Sequence, residues 1–127
     1  MTQTQSIESG INSRMIVLSF VNALTDEDFK AARDYASDDM TFTGVLGTRD
    51  NADEYFGDME KMKLKYRVEK VFVEAEDVCL LYNVTMSGIT VFCCGWYHVE
   101  GEKIKSIRVI FDPRPVLEAG ANSQKND

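Results

Sequence analysis

The spacing of apolar residues changes period once along this chain, and that change fixes the class of fold. Up to about residue 62 apolar side chains recur every three or four positions. From residue 64 to residue 112 they alternate instead, interrupted by short polar turns. Helical segments gathered at the front, followed by consecutive hairpins, specify an α+β chain with helices packed on a mainly antiparallel sheet.

The first helix spans residues 6–24, with Ile7, Ile11, Met15, Leu18 and Val21 on one stripe and Ile16, Phe20 and Leu24 widening it. Thr25 before Asp26-Glu27-Asp28 reads as the cap of a second helix, which runs to about Ala36 with Phe29, Ala32 and Tyr35 facing inward. Asp38-Asp39 ends it, and Met40-Thr41-Phe42-Thr43 is a short strand closed by Gly44 and Gly47. A third helix starts near Asp50-Asn51 and presents Tyr55, Phe56, Met59 and Met62. Four strands follow. In the first, alternation slips by one residue near Glu69-Lys70, the mark of a β-bulge and a source of curvature. Turns at Glu76-Asp77, Ser87-Gly88 and Glu100-Gly101-Glu102 separate the others. Periodicity is lost after Pro113. The reading is a single domain over 1–127 with its core at about 7–113 and flexible termini at 1–6 and 117–127.

Charge and cysteine content narrow the function classes. Fourteen basic against twenty-one acidic residues give a net charge of −7, and no basic run offsets it. Such a surface repels phosphate backbones, which argues against a nucleic-acid partner. The polar start Met1-Thr2-Gln3-Thr4-Gln5 lacks a signal-peptide pattern, and no apolar run is long enough for a membrane span. A cytoplasmic protein is the expectation. Cys79, Cys93 and Cys94 are odd in number and two are adjacent, which is not a disulfide framework. One His and no paired-cysteine motif do not make a metal site, and no dinucleotide or phosphate loop is present, so no cofactor is expected.

Several short stretches resemble the superfamily of nuclear transport factor two and ketosteroid isomerase, in particular its SnoaL-like branch. They are Val17-Leu18-Ser19-Phe20-Val21-Asn22-Ala23-Leu24, Asp28-Phe29-Lys30-Ala31, Ser37-Asp38-Asp39-Met40-Thr41-Phe42 and Gly101-Glu102-Lys103-Ile104. The resemblance spans residues 7 to 113. It implies a cone, in which a strongly curved sheet wraps the first helix and leaves an internal pocket. It does not carry the isomerase chemistry. Phe20 stands where that family places a tyrosine, Gly44 (or Thr43) where it places the base, and Cys94 where it places a protonated aspartate.

Within such a cone, alternation groups Tyr82 and Val84, then Cys94, Trp96 and His98, then Val109 and Phe111 on the pocket side. Phe20, Tyr55, Phe56 and Met59 complete the expected pocket from the helices. His98 is the candidate proton carrier, because imidazole titrates near neutrality, and Tyr82 is its polar helper. The outer face, with Leu81, Cys93 and Tyr97, suits a homodimer contact. Two functions compete. One is binding of a small apolar or aromatic molecule, with cofactor-independent isomerisation, cyclisation or dehydration as the fitting chemistry. The other is a dimeric interaction module with a vestigial cavity.

Overall fold

A computed structural model describes the backbone of residues 2–125 and the side chains of residues 8–120. Expectations for Met1, Asn126 and Asp127, and for the side chain of Ile7, lie outside the described residues. The elements are α1 (Thr2–Thr25), α2 (Phe29–Asp34), β1 (Ala36–Thr43), β2 (Thr48–Arg49), α3 (Ala52–Met62), β3 (Lys65–Glu74), β4 (Asp77–Met86), β5 (Ile89–Glu100), β6 (Lys103–Phe111) and α4 (Arg114–Lys125). They form the α+β cone: helices packed on one curved six-stranded sheet of order β2-β1-β6-β5-β4-β3.

The four-strand meander has turns of two residues at each hairpin, since Glu74 pairs with Asp77, Met86 with Ile89 and Glu100 with Lys103. Ser87 and Gly88 both have positive φ, 52° and 82°, as do Gly101 and Glu102 at 56° and 65°. Two successive positive φ values match the right-handed strand twist and lock the hairpin register. The bulge in β3 falls between Val68 and Lys70, where the sequence loses its phase. A second irregularity separates His98 from Val99 along the β5–β6 pair. Each adds local bend and twist, which curls the sheet around α1.

Strand β1 extends the meander into a mixed sheet. It pairs parallel to β6, with Ala36 opposite Ile104 and Phe42 opposite Ile107. This pairing shortens α2, which ends at Asp34 rather than Ala36, because the Tyr35 carbonyl accepts a 2.8 Å bond from the Ile104 amide. Asp38 and Asp39 therefore lie within the strand. Asp38 meets Arg33 at 2.7 Å and Asp39 meets Lys105 at 2.5 Å. Asp28, not Thr25, caps α2 by accepting from the Ala31 amide at 3.1 Å. The Thr25 hydroxyl instead donates to the Val21 carbonyl and accepts from the Tyr66 amide, tying α1 to β3.

The buried stripe of α1 differs from the one expected. Ile11 and Met15 are exposed, whereas Gly10, Ser13, Val17, Phe20, Val21 and Leu24 face inward. Close approach to the sheet selects small residues at the N-terminal end of that stripe. A Cβ on Gly10 would sit 3.3 Å from Val73 Cγ1. Phe20 is the hub, with ring centroids of Tyr55, Phe56 and Tyr97 all within 6.3 Å.

Arg114–Lys125 form a helix where the sequence loses its periodicity. Asp112 accepts from the Arg114 amide at 3.1 Å, and the Leu117 amide closes onto the Pro113 carbonyl at 3.0 Å. An acidic residue before a first turn containing proline is a helix start, and Asp112-Pro113-Arg114-Pro115 carries that signal. Among the described residues no helix is long and apolar enough to cross a membrane.

Candidate functional site

Between α3 and the concave sheet lies a cavity of about 380 Å³. Strand pairing decides which side chains line it. Directly opposed residues share a face, and Tyr82 pairs with Cys93, Leu80 with Gly95 and Val78 with Tyr97. On the other side Phe111 pairs with Cys93, Val109 with Gly95 and Ile107 with Tyr97. The inner face of β5 is therefore Cys93, Gly95, Tyr97 and Val99. Cys94, Trp96 and His98 project from the outer face, one residue out of phase with the expectation. Trp96 is 47 % exposed while Tyr97 is 2 % exposed, so the two faces are unambiguous.

Gly95 makes the cavity floor possible. A Cβ there would stand 3.0 Å from a ring carbon of Tyr97 and 3.1 Å from one of Tyr82. Its missing side chain lets both rings lie over the strand. A glycine inside a strand often marks such an approach, and Gly95 was the available sequence signal for the inner face. The two-residue turn at Ser87-Gly88 was a second signal, because it sets Tyr82 opposite Cys93 by counting.

The other expected pocket residues divide. Tyr55, Met59, Tyr82, Val84, Val109 and Phe111 line the cavity. Phe20 and Phe56 are buried in the core behind it. Tyr66, Cys93 and Tyr97 line it without having been singled out as pocket residues, and so do Phe42, Arg49 and Asp58. Arg49 and Asp58 form a 2.5 Å ion pair between β2 and α3. Their separation in sequence and the ordinary polar look of each gave no hint of this pairing.

Four phenols reach this space from four elements: Tyr55 from α3, Tyr66 from β3, Tyr82 from β4 and Tyr97 from β5. The Tyr66 hydroxyl reaches the Met59 sulfur at 4.0 Å, and the rings of Tyr66 and Tyr82 lie 5.3 Å apart. Burial pushes all four phenol pKa values up. It also pushes the Cys93 thiol up to about 11. Desolvation disfavours the charged forms, so at neutral pH these groups are hydrogen-bond donors rather than bases. The remaining wall is mostly aliphatic and aromatic, with Val84, Val91, Val109 and Phe111 among its members.

His98 belongs to a different cluster. Its Nδ1 lies 2.8 Å from Asp77 Oδ1, which also accepts from Trp96 Nε1 at 2.8 Å, and its Nε2 lies 3.5 Å from Glu100. Arg108 stacks over the Trp96 ring at 5.6 Å. The hydrogen bond that His98 donates to Asp77, with help from Glu100, raises the His98 pKa above its usual 6.5. A raised folded-state value means that the pair stabilises fully below about pH 6.5 and that its contribution fades as pH rises through the higher value. At this half-exposed site the size is below about 1 kcal/mol. Urea midpoints at pH 6 and pH 8.5 should therefore fall more steeply for the natural chain than for His98→Gln. Equal slopes would show that the pair carries no pH-dependent stability.

This geometry is accompanied by matches to known proteins. A family model described as the SnoaL-like domain matches residues 17–107. The chain belongs to the SnoaL-like family. It is 46 % identical to an NTF2-like protein of unknown function from Cytophaga hutchinsonii ATCC 33406, over 83 % of this chain and 94 % of that one, with a TM-score of 0.82. A putative SnoaL-like polyketide cyclase from Shewanella denitrificans OS-217 shares the fold at 12 % identity, with a TM-score of 0.74 over 84 % of this chain and 94 % of that one. So does an epoxide hydrolase of LEH-like type from M. tuberculosis, at 18 % identity and a TM-score of 0.75 over 86 % of this chain and 89 % of that one. No curated protein matches the chain.

Proposed function

We propose that this SnoaL-like chain binds a small, largely apolar or aromatic molecule in the cone, held by hydrogen bonds from the tyrosine hydroxyls to an acceptor such as a carbonyl. The observation that carries the reading is the apolar cavity of about 380 Å³ into which four protonated phenols converge. An apolar concavity of about 300–1,000 Å³ with a few convergent polar groups is the usual form of a small-molecule site. The donors fix orientation, and the aliphatic wall supplies affinity by burial. Where binding leads to chemistry, the fitting class is cofactor-independent isomerisation, cyclisation or dehydration, with Tyr82 polarising the carbonyl. His98 drops out of that mechanism because it points away from the cavity.

A thermal-shift screen of apolar and aromatic carbonyl compounds tests the reading, since a ligand at a hundred times its Kd adds about 2.7 kcal/mol to stability. For a compound so found, Tyr82→Phe should weaken binding roughly three- to tenfold, the worth of one net hydrogen bond. The phenylalanine ring keeps the packing, so the melting temperature of the free protein should hardly move. Unchanged affinity in both Tyr82→Phe and Tyr97→Phe would remove the phenols from recognition.

A homodimer through the outer sheet face is a second proposal, resting on a separate observation. Phe92, Trp96 and Ile110 are 53 %, 47 % and 68 % exposed there, around half-buried Leu81. The members of that face are corrected from the sequence expectation, since Cys93 and Tyr97 point inward. Sedimentation at micromolar concentration should show a two-chain species, and Trp96→Glu with Ile110→Glu should return it to one chain. A natural chain that sediments as a monomer would dismiss the proposal and leave the cavity reading intact.

A further inference from the structure

Two of the three thiols meet on the outer face. The sulfurs of Cys79 on β4 and Cys94 on β5 are 3.4 Å apart. Cys79 pairs directly with Trp96, and Leu81 with Cys94, so the two cysteines are diagonal neighbours across one strand pair. Diagonal positions are the looser contact on a sheet, yet here both side chains turn toward the shared gap. Both are half-buried in the single chain, within reach of a small reagent there, whereas a dimer through the outer face would cover them and slow the reaction. The third thiol, Cys93, is 2 % exposed and faces the cavity, so the adjacency of Cys93 and Cys94 in sequence conceals that they lie on opposite faces.

We propose that Cys79 and Cys94 are a reversible thiol–disulfide site that staples β4 to β5 on the outer face under oxidising conditions. The co-reactant is a two-electron oxidant, a hydroperoxide for instance. One thiolate attacks the peroxide oxygen, the O–O bond breaks, and a sulfenic acid and one water result after proton uptake. The second thiolate attacks the sulfenic sulfur, forms the S–S bond and expels hydroxide, which becomes the second water. Two thiols and one hydrogen peroxide thus become one disulfide and two waters, and the sulfurs lose the two electrons that the peroxide gains. The sulfurs must close from van der Waals contact to a bond of about 2.05 Å. Burial and the neighbouring Cys94 push the Cys79 thiol up to about 11. Thiolate is therefore scarce at neutral pH, so the reaction is slow there and quickens with alkalinity.

Trp96 provides a built-in reporter. It is the only tryptophan, and it sits directly opposite Cys79. The full-length chain at micromolar concentration would be treated with hydrogen peroxide at pH 8, quenched, and alkylated after unfolding. Free thiols should fall from three to one, the surviving thiol should map to Cys93, and the linked peptides should contain Cys79 and Cys94. Trp96 emission should drop and should recover with dithiothreitol. Cys93→Ser should behave like the natural chain, whereas Cys79→Ser and Cys94→Ser should form no intrachain disulfide and show no reversible quenching. Three surviving thiols after excess oxidant would overturn the proposal. So would a Cys93–Cys94 bond, or linkage between chains as the main product. The mapping on the natural chain decides the question even if a serine variant folds poorly.

Discussion

Phe20→Ala should be the most damaging single truncation in the described core. Phe20 has no exposed surface and packs against Tyr55, Phe56 and Tyr97. Removing a buried phenylalanine loses its transfer free energy and leaves a hole that neighbours only partly refill, at a cost of about 3–5 kcal/mol. A domain of this size has about 5–15 kcal/mol in total. The urea midpoint should fall by about a fifth or more. The hole would adjoin Tyr55 and Tyr97, which line the cavity, so ligand affinity should fall with stability. A midpoint within the error of the natural chain would mean that Phe20 is not the hub its contacts describe.

Gly95→Val should separate cavity shape from fold. The added atoms would enter the space occupied by the rings of Tyr82 and Tyr97, which already stand 3.1 and 3.0 Å from a hypothetical Cβ. Overpacking of this kind costs about 1–3 kcal/mol. Both phenols would be displaced, so binding of any ligand that depends on them should be lost altogether. Gly95→Ala should sit between. Gly57→Ala is the control. A Cβ there meets nothing within 4 Å, and it lies inside α3. Alanine in place of a helical glycine should stabilise by up to about 1 kcal/mol. Calorimetry on the three variants, with and without ligand, reads both quantities. Retained binding in Gly95→Val would remove the floor from the proposed site.

The two substitutions also show how far the sequence reaches. The α+β order, the alternation of β4 and the bulge after Val68 are legible in the chain, because each is a local event. Helical spacing, alternation beside a polar turn, and a one-residue slip leave marks within a dozen residues. Alternation groups Tyr82 with Val84, the family resemblance turns that face toward the pocket, and both line the cavity.

The phase of β5 was not settled by alternation, since both of its faces are apolar enough to be buried. Val91, Cys93 and Tyr97 compete there with Phe92, Cys94 and Trp96. Only pairing with β4 decides between them, and a one-residue error inverts every side chain. That inversion moved His98 from the candidate catalytic site to a surface cluster with Asp77. The recruitment of Ala36–Thr43 into a parallel pairing with β6 was equally hidden, because its partner lies more than sixty residues away. The same holds for the contact that selects Gly10 and Ser13 over Ile11 and Met15 on α1. Local sequence fixes which elements form and where they bend. Which face of each element is dry depends on what packs against it, and that was decided only when the hairpins closed, the sheet curled and the four tyrosines were brought to one cavity.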